Sequence, residues 1–119
     1  MTNYIYKNDL PSELDLGPVV AIDTETMGLN PLRDRLCLVQ LSSGDGHAHI
    51  VQIENKSVKS PNICKILSDQ NKIKLFHFAR FDIAALQNHF KISTSPVYCT
   101  KIASKLVRTY TDRHGLKNL

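Results

Sequence analysis

The sequence predicts one α/β domain, a mixed five-stranded sheet whose first three strands are antiparallel and whose two faces are both covered by helices. Three observations lead to this fold class. Short apolar segments recur along the chain, short polar turns separate the first three of them, and segments with helical spacing accompany the later ones. Short turns favour antiparallel pairing, whereas helical connections favour parallel pairing.

The segment at the centre of this fold is 19–26, in which four aliphatic residues precede two carboxylates. Three of the four aliphatic residues are β-branched, and Gly17-Pro18 comes just before them. An uninterrupted apolar run of this length is typical of a strand that is buried on both faces. We therefore expect it in the middle of the sheet.

The other elements follow from composition and turn residues. We expect further strands at 36–41, 49–53, 73–76 and 97–99, and a short edge strand at 4–6. Helices are predicted at 61–67, 81–90 and 100–107. Ser60 is the predicted N-cap of the first helix, with Pro61 at its first position, and Thr100 is the predicted N-cap of the third.

Length and composition limit the class of protein. A chain of 119 residues with 42% hydrophobic residues can form one domain with a single core. No segment approaches the roughly 20 apolar residues of a membrane span, and the first residues do not resemble a signal peptide. These features predict a soluble, cytoplasmic protein without membrane contact. The three cysteines, which are far apart and odd in number, are interpreted as reduced thiols.

Positive charge is concentrated at the end of the chain. Residues 1–90 carry a net charge of −1, whereas residues 91–119 carry +5. Lys101, Lys105 and Arg108 share roughly one face of the predicted third helix. A basic region beside an acidic site suits a nucleic acid that is guided towards metal ions. A solvated basic helix face would give the same pattern.

Asp23 and Glu25 are candidate metal ligands. Because side chains alternate along a strand, both point to the same side, with Cβ atoms roughly 6 to 7 Å apart. Carboxylates at that spacing suit a shared divalent cation. The alternative is a solvated turn with a helix-capping aspartate. Gly28 and Asn30 indicate a tight turn after the strand, which favours a site at the sheet's carboxyl edge.

Asp82 is the third candidate. If the strands at 19–26 and 73–76 are neighbours, Asp82 lies close to the first two carboxylates. Its position in the first turn of a helix also suits an ordinary aspartate that interacts with the helix dipole.

Two segments carry a resemblance to a known family. Residues 23–29 (DTETMGL) resemble the first motif of the DEDD superfamily of 3′→5′ exonucleases, and the strand 38–42 follows as it does in that family. Residues 77–82 (HFARFD) resemble its second motif, and residues 108–119 resemble the region before the next helix. The chain is therefore similar to ribonuclease D-like enzymes of the tyrosine branch.

The resemblance implies a ribonuclease H-like fold and a two-metal site. Asp23 would bridge two Mg²⁺ or Mn²⁺ ions, Glu25 would bind the ion on the nucleophile side, and Asp82 would hold the second. The predicted substrate-binding residues are Thr26, Met27, Leu29, His77, Phe78, Arg80, Lys101, Lys105 and Arg108. Phe78 is either a base-stacking platform or a core residue.

One expected motif is missing from the sequence. The family's third motif pairs a tyrosine with an aspartate four residues later, and no tyrosine here has an aspartate at that offset. We therefore expect residues 1–119 to be an exonuclease domain that is truncated at the C-terminus, lacks its third motif and is weakly active or inactive alone. A companion chain is a possible source of the missing motif.

The predicted function is metal-dependent hydrolysis at single-stranded 3′ ends of RNA, as in tRNA and rRNA processing, with release of 5′-nucleotides. Three alternatives remain open from the sequence. The chain is a nucleic-acid-binding remnant that does not cut, one half of a split exonuclease, or a fragment that does nothing alone.

Overall fold

The computed structural model describes residues 2–30, 33–77 and 79–99, which form a six-stranded sheet and two helices. In chain order the elements are β1 (Thr2–Lys7), β2 (Val19–Thr26), β3 (Leu36–Ser42), β4 (His47–Gln52), α1 (Pro61–Ser68), β5 (Ile73–Phe76), α2 (Ala79–Phe90) and β6 (Val97–Cys99). Every predicted element within the described residues is present. The predicted third helix, at 100–107, lies outside them.

The sheet is mixed, with strand order β1-β4-β3-β2-β5-β6. As predicted, β2, β3 and β4 are antiparallel, and β5 lies parallel to β2. The sheet has one strand more than the five predicted, because β1 pairs in parallel with β4 along its whole length. That pairing joins segments more than forty residues apart and leaves no local signal in the sequence.

The core lies on one face of this sheet. Both described helices contribute to it, α1 with Ile63 and Leu67 and α2 with Ala85 and Leu86, and all four side chains are buried in one cluster. Val20 of β2 belongs to the same cluster. Helices were predicted on both faces, but within the described part of the chain both pack on this one, which we call the covered face.

The opposite face of β2, here called the open face, corrects one prediction. Burial alternates along the strand, so that Val20 is fully buried while Val19 is 40% exposed. Ala21, Asp23 and Glu25 on the same side as Val19 are also exposed in the described structure. The expectation of burial on both faces was wrong because the aliphatic run supplies similar side chains to both sides, and only one side contacts the described helices.

Helix α1 begins at Pro61 as predicted, but its cap is a different residue. Ser60 has a left-handed backbone, with φ of 43°, and makes no capping hydrogen bond with its side chain. Its hydroxyl donates instead to the carbonyl of Asn8. The Asp9 carboxylate accepts the backbone N–H groups of Asn62 and Ile63, at 2.9 and 3.1 Å. The loop after β1 therefore caps α1 and fixes its position.

A buried lysine ties together the opposite end of the fold. Lys74 of β5 is fully buried, and its Nζ donates to the backbone carbonyls of Asp69, Lys72 and Ser95, at 2.5, 2.8 and 2.7 Å. Its ammonium group thereby joins the turn after α1 to the segment before β6. Each of the three ammonium N–H groups thus makes a hydrogen bond, and these bonds offset the free-energy cost of burying the charge.

The cysteines and the two helices bear on two expectations about the chain as a whole. Cys37, Cys64 and Cys99 are partly buried, and no disulfide bond joins them in the described structure. Neither described helix has the length and apolar character that crossing a membrane requires.

Candidate active site

Two carboxylates stand on the open face where β2 ends. Asp23 and Glu25 are both exposed, and their register partners on β3 are Gln40 and Leu38. The Asp23 carboxylate also accepts the backbone N–H of Thr24 at 3.0 Å, which restrains its side chain. A cavity of about 280 Å³ opens beside Asp23, and its lining includes Ala21, Gln40, Ser42, Leu75 and His77.

Asp82 reaches this region from the covered face. It lies in the first turn of α2 and is only 5% exposed. Thr24 is the residue between the two exposed carboxylates, and because side chains alternate it points into the core. Its hydroxyl donates to Asp82 Oδ1 at 2.5 Å. This hydrogen bond connects the candidate site on β2 directly to the start of α2.

The electrostatics of Asp82 reflect both burial and its acidic neighbours. Its pKa is raised to about 6, mainly by burial and also by the negative charges of Asp23 and Glu25. The hydrogen bond from Thr24 acts in the opposite direction, because it stabilises the charged carboxylate. The three carboxyl groups therefore interact electrostatically, as a site that neutralises its charge with cations requires.

The donor chemistry fits Mg²⁺ or Mn²⁺, since carboxylate oxygens are the hard ligands that these ions prefer. The arrangement does not by itself form a ligand shell. Among the residues that the structure describes, no three His, Cys, Asp or Glu side chains are grouped closely enough to hold a metal ion. The metal-binding roles of Asp23, Glu25 and Asp82 thus stay predictions.

The loop after β2 presents two large apolar side chains to solvent. Met27 is 68% exposed and Leu29 is 92% exposed. Asp34 organises this loop, because its carboxylate accepts the backbone N–H of Asn30 at 3.0 Å. Gly28 packs directly against it, and a Cβ at that position would lie 2.3 Å from Asp34 Oδ2. A side chain at position 28 would therefore displace the Asp34 carboxylate from the loop.

The remaining predicted site residues are distributed around this region. The Thr26 hydroxyl donates to the carbonyl of Gly28 within the loop, His77 lines the cavity, and Arg80 is exposed in the first turn of α2. Four predicted substrate-binding residues lie outside the described residues: Phe78, Lys101, Lys105 and Arg108.

Sequence reasoning missed several residues of the site. Thr24 was not among the predicted site residues, although strand alternation places it towards the core, where Asp82 lies. Gln40 and Ser42 line the cavity because of the β2–β3 register, which pairs them with Asp23 and Ala21. That register depends on pairing and is not visible in the sequence of β3 alone.

An α/β sheet with an acidic site at the carboxyl end of its central strand defines a class of enzymes that act at that edge. Comparison with known families makes the class specific. The model of the 3′-5′ exonuclease family matches residues 2–119. The chain belongs to this family of nucleases, as its two motifs indicated.

Individual relatives agree with this assignment. The chain is 32% identical over 102 residues to ribonuclease D from Granulibacter bethesdensis, a match that covers 86% of the chain and 25% of that protein. Two solved structures of NrnC from Brucella melitensis are each 57% identical to it, with a TM-score of 0.95 and 99% of the chain covered. One is bound to pGG and the other to Mg²⁺. The chain spans 58% and 59% of those two NrnC chains.

Proposed function

We propose that this chain carries the metal-binding part of a 3′→5′ exonuclease that removes nucleotides from single-stranded 3′ ends of RNA. The similarity to ribonuclease D supports an RNA substrate. The pGG bound to the similar NrnC supports a site that also accepts very short strands. The proposed products are 5′-nucleotides.

One observation carries the proposal. Two exposed carboxylates end the central strand on an open face, and a third, buried carboxyl group interacts with both of them electrostatically. Three acidic groups at one place repel one another and also repel a phosphodiester substrate. Divalent cations remove both penalties, and the Mg²⁺-bound structure of NrnC supports their presence in this site.

The roles of the residues follow from their positions. Asp23 and Glu25 would hold the ions from the open face, and Asp82 would hold them from the start of α2. Two-metal chemistry supplies charge stabilisation for the attacking water and for the leaving 3′ oxygen. Leu29 and Met27 pack against the terminal nucleotide, because both are large, apolar and exposed beside Glu25. His77 lines the cavity where the substrate enters.

We expect little activity from residues 1–119 alone. The sequence has no tyrosine with an aspartate four residues later, so a group that would position the attacking water and a further metal ligand must come from elsewhere. A companion segment with a Tyr-x-x-x-Asp helix is the proposed source. Loss of one positioned catalytic group typically costs about 10²- to 10⁴-fold in rate.

The test measures release of nucleotides from a 3′-labelled RNA strand, with Mg²⁺ or Mn²⁺, by the chain supplemented with that companion segment. Asp23→Asn should reduce the rate by at least about 10²-fold. Asp45→Asn changes an exposed aspartate in the β3–β4 turn and serves as the matched control, with an unchanged rate. Calorimetry with Mn²⁺ on the chain alone should show a weak site that disappears in Asp23→Asn.

The proposal fails if the supplemented chain leaves the labelled strand intact with both ions while Asp23→Asn has no effect on Mn²⁺ binding. Binding of RNA that depends on salt but leads to no cleavage would identify a nucleic-acid-binding remnant instead.

A further inference from the structure

A second cavity, of about 330 Å³, lies between the C-terminal end of α2 and the start of β3. We call it the basic cavity, because its lining includes four cationic side chains and no acidic one. The residues that define it are Arg33, Arg35, Lys56, Asn88, His89 and Lys91. None of these residues belongs to the candidate active site described above.

The positive charge of the basic cavity is largely uncompensated. The ion pairs among the described residues join Lys7 to Glu54, Arg33 to Asp34, and Lys72 to Asp15. Within the described structure, therefore, Arg35, Lys56 and Lys91 have no carboxylate partner. Such a cluster attracts anions, and a recess lined by charges of one sign concentrates the electric field.

Part of the cavity wall is rigid. The Arg35 guanidinium donates through Nη1 to the carbonyls of Leu36 and Ile53, at 3.0 and 2.7 Å, which fixes it against β3. His89 is half-buried, and its Nε2 is 2.8 Å from the carbonyl of Val58. Burial is the main cause that lowers the pKa of His89, and the positive charges of Arg35 and Lys91 lower it further. The histidine thus experiences the positive potential of the cavity.

The basic cavity is connected to the candidate active site by two elements. Helix α2 carries Asp82 in its first turn and His89 in its last, which separates them by about 10 Å along the helix axis. The backbone of Met27 in the loop after β2 is bonded to the carbonyl of Arg35 at 2.9 Å. These two connections place the basic cavity close enough to the candidate active site for one nucleic acid strand to reach both.

We propose that the basic cavity binds a phosphate group of a nucleic acid strand whose 3′ end lies at Asp23 and Glu25. The identity of the strand as a substrate rests on the proposed function, whereas the anion site itself rests on the cavity and its charges. We therefore expect the cavity to contribute mainly to the binding of strands that extend beyond the nucleotides held at the candidate active site.

The test compares two double substitutions that remove the same charge. Lys56→Gln with Lys91→Gln changes the two exposed lysines of the cavity, and Lys59→Gln with Lys65→Gln changes two exposed lysines that do not line it. Binding of a single strand long enough to span both sites, and of a dinucleotide, is measured by fluorescence anisotropy on the chain alone, at one fixed low concentration of Mg²⁺ and several concentrations of monovalent salt.

The cavity variant should bind the long strand about tenfold more weakly at low salt and lower the slope of log K against log salt by about 0.7, for the one lost phosphate contact. The control variant should change long-strand binding less than about twofold, and the dinucleotide should not distinguish the two variants. Equal weakening by both variants would overturn the proposal, because the effect would then reflect net charge alone.

A second measurement identifies the source of the phosphate. The ring resonances of His89, assigned with His89→Gln, should shift more when the long strand is added than with inorganic phosphate or a nucleoside monophosphate at equal phosphate concentration. Shifts caused only by the small phosphates would overturn the assignment to a strand. Cleavage without any effect of the cavity variant would refute this inference alone, whereas the expected binding effects without cleavage would refute the proposed function alone.

Discussion

The two faces of β2 differ in what their side chains do. Val20, Ile22 and Thr24 point to the covered face and are buried, whereas Asp23 and Glu25 point to the open face and are exposed. One strand thus supplies the core and the candidate site through alternate residues. Along this strand, even-numbered residues contribute to the core and odd-numbered residues to the open face, so that stability and chemistry depend on different side chains. Thr24 is the exception, because it is buried in the core and yet contacts Asp82 of the candidate site.

The sharpest test of this comparison uses two adjacent valines. Val20→Ala should lower the free energy of unfolding by about 2 to 4 kcal/mol, because it deletes buried methyl groups and leaves a cavity. Val19→Ala makes the same chemical change at a side chain that is 40% exposed and should cost less than about 1 kcal/mol. Chemical denaturation measures both. Equal costs would mean that the open face is covered in solution.

The second test concerns Asp82, where stability and function should oppose each other. Burial is the main cause that raises the pKa of Asp82 to about 6 in the folded, metal-free protein. The folded state therefore keeps a proton on this carboxyl group at pH values where the unfolded chain, with the usual pKa of an aspartate, has lost it. This contribution to stability is therefore present at low pH and lost as the pH rises through about 4 to 6, by about 2 to 3 kcal/mol.

Asp82→Asn should abolish that loss and stabilise the metal-free protein at neutral pH, while its oxygen still accepts the Thr24 hydroxyl. Denaturation with a chelator at about pH 4 and about pH 7 measures the difference between variant and parent. If Asp82→Asn is less stable than the parent at neutral pH, the buried charge of Asp82 does not destabilise the metal-free protein. The same substitution should impair cleavage by the supplemented protein.

The smallest expected effect is at Thr24, where the two faces meet. Thr24→Val keeps the shape but removes the hydrogen bond that lowers the pKa of Asp82, so that pKa should rise further. Loss of this hydrogen bond should lower the free energy of unfolding by about 1 kcal/mol. Thr24→Ser keeps the donor and should restore the original pKa, which carboxyl NMR titration in the metal-free protein can follow. An identical titration in all three proteins would show that the hydrogen bond does not act on Asp82.

Much of this fold could be predicted because its signals are local. The aliphatic run before Asp23 marked the central strand, the glycine-rich turn at 42–46 marked an antiparallel pair, and Pro61 marked the start of α1. Each of these features depends on residues that are adjacent in the chain. The 3′-5′ exonuclease family was equally visible, because each of its two motifs is a short continuous segment.

The features that were not predicted all depend on distant residues. Asp9 caps a helix that begins more than fifty positions later, and this contact displaced Ser60 from its expected role. The pairing of β1 with β4 and the basic cavity likewise assemble from separate parts of the chain. The exposure of the open face of β2 was not predicted for a related reason. An apolar residue indicates a preference for burial, but it does not show whether another element packs against it.

The buried ammonium group of Lys74 makes this lysine a reporter of local opening. Because three carbonyl groups surround its Nζ and the residue is fully buried, an amine-modifying reagent can reach it only when the ends of β5 and the neighbouring turns separate. The exposed lysines, such as Lys59, have no such barrier and react at the intrinsic rate of an amine. The ratio of the two rates therefore gives the free energy of opening at the end of the sheet opposite the candidate active site.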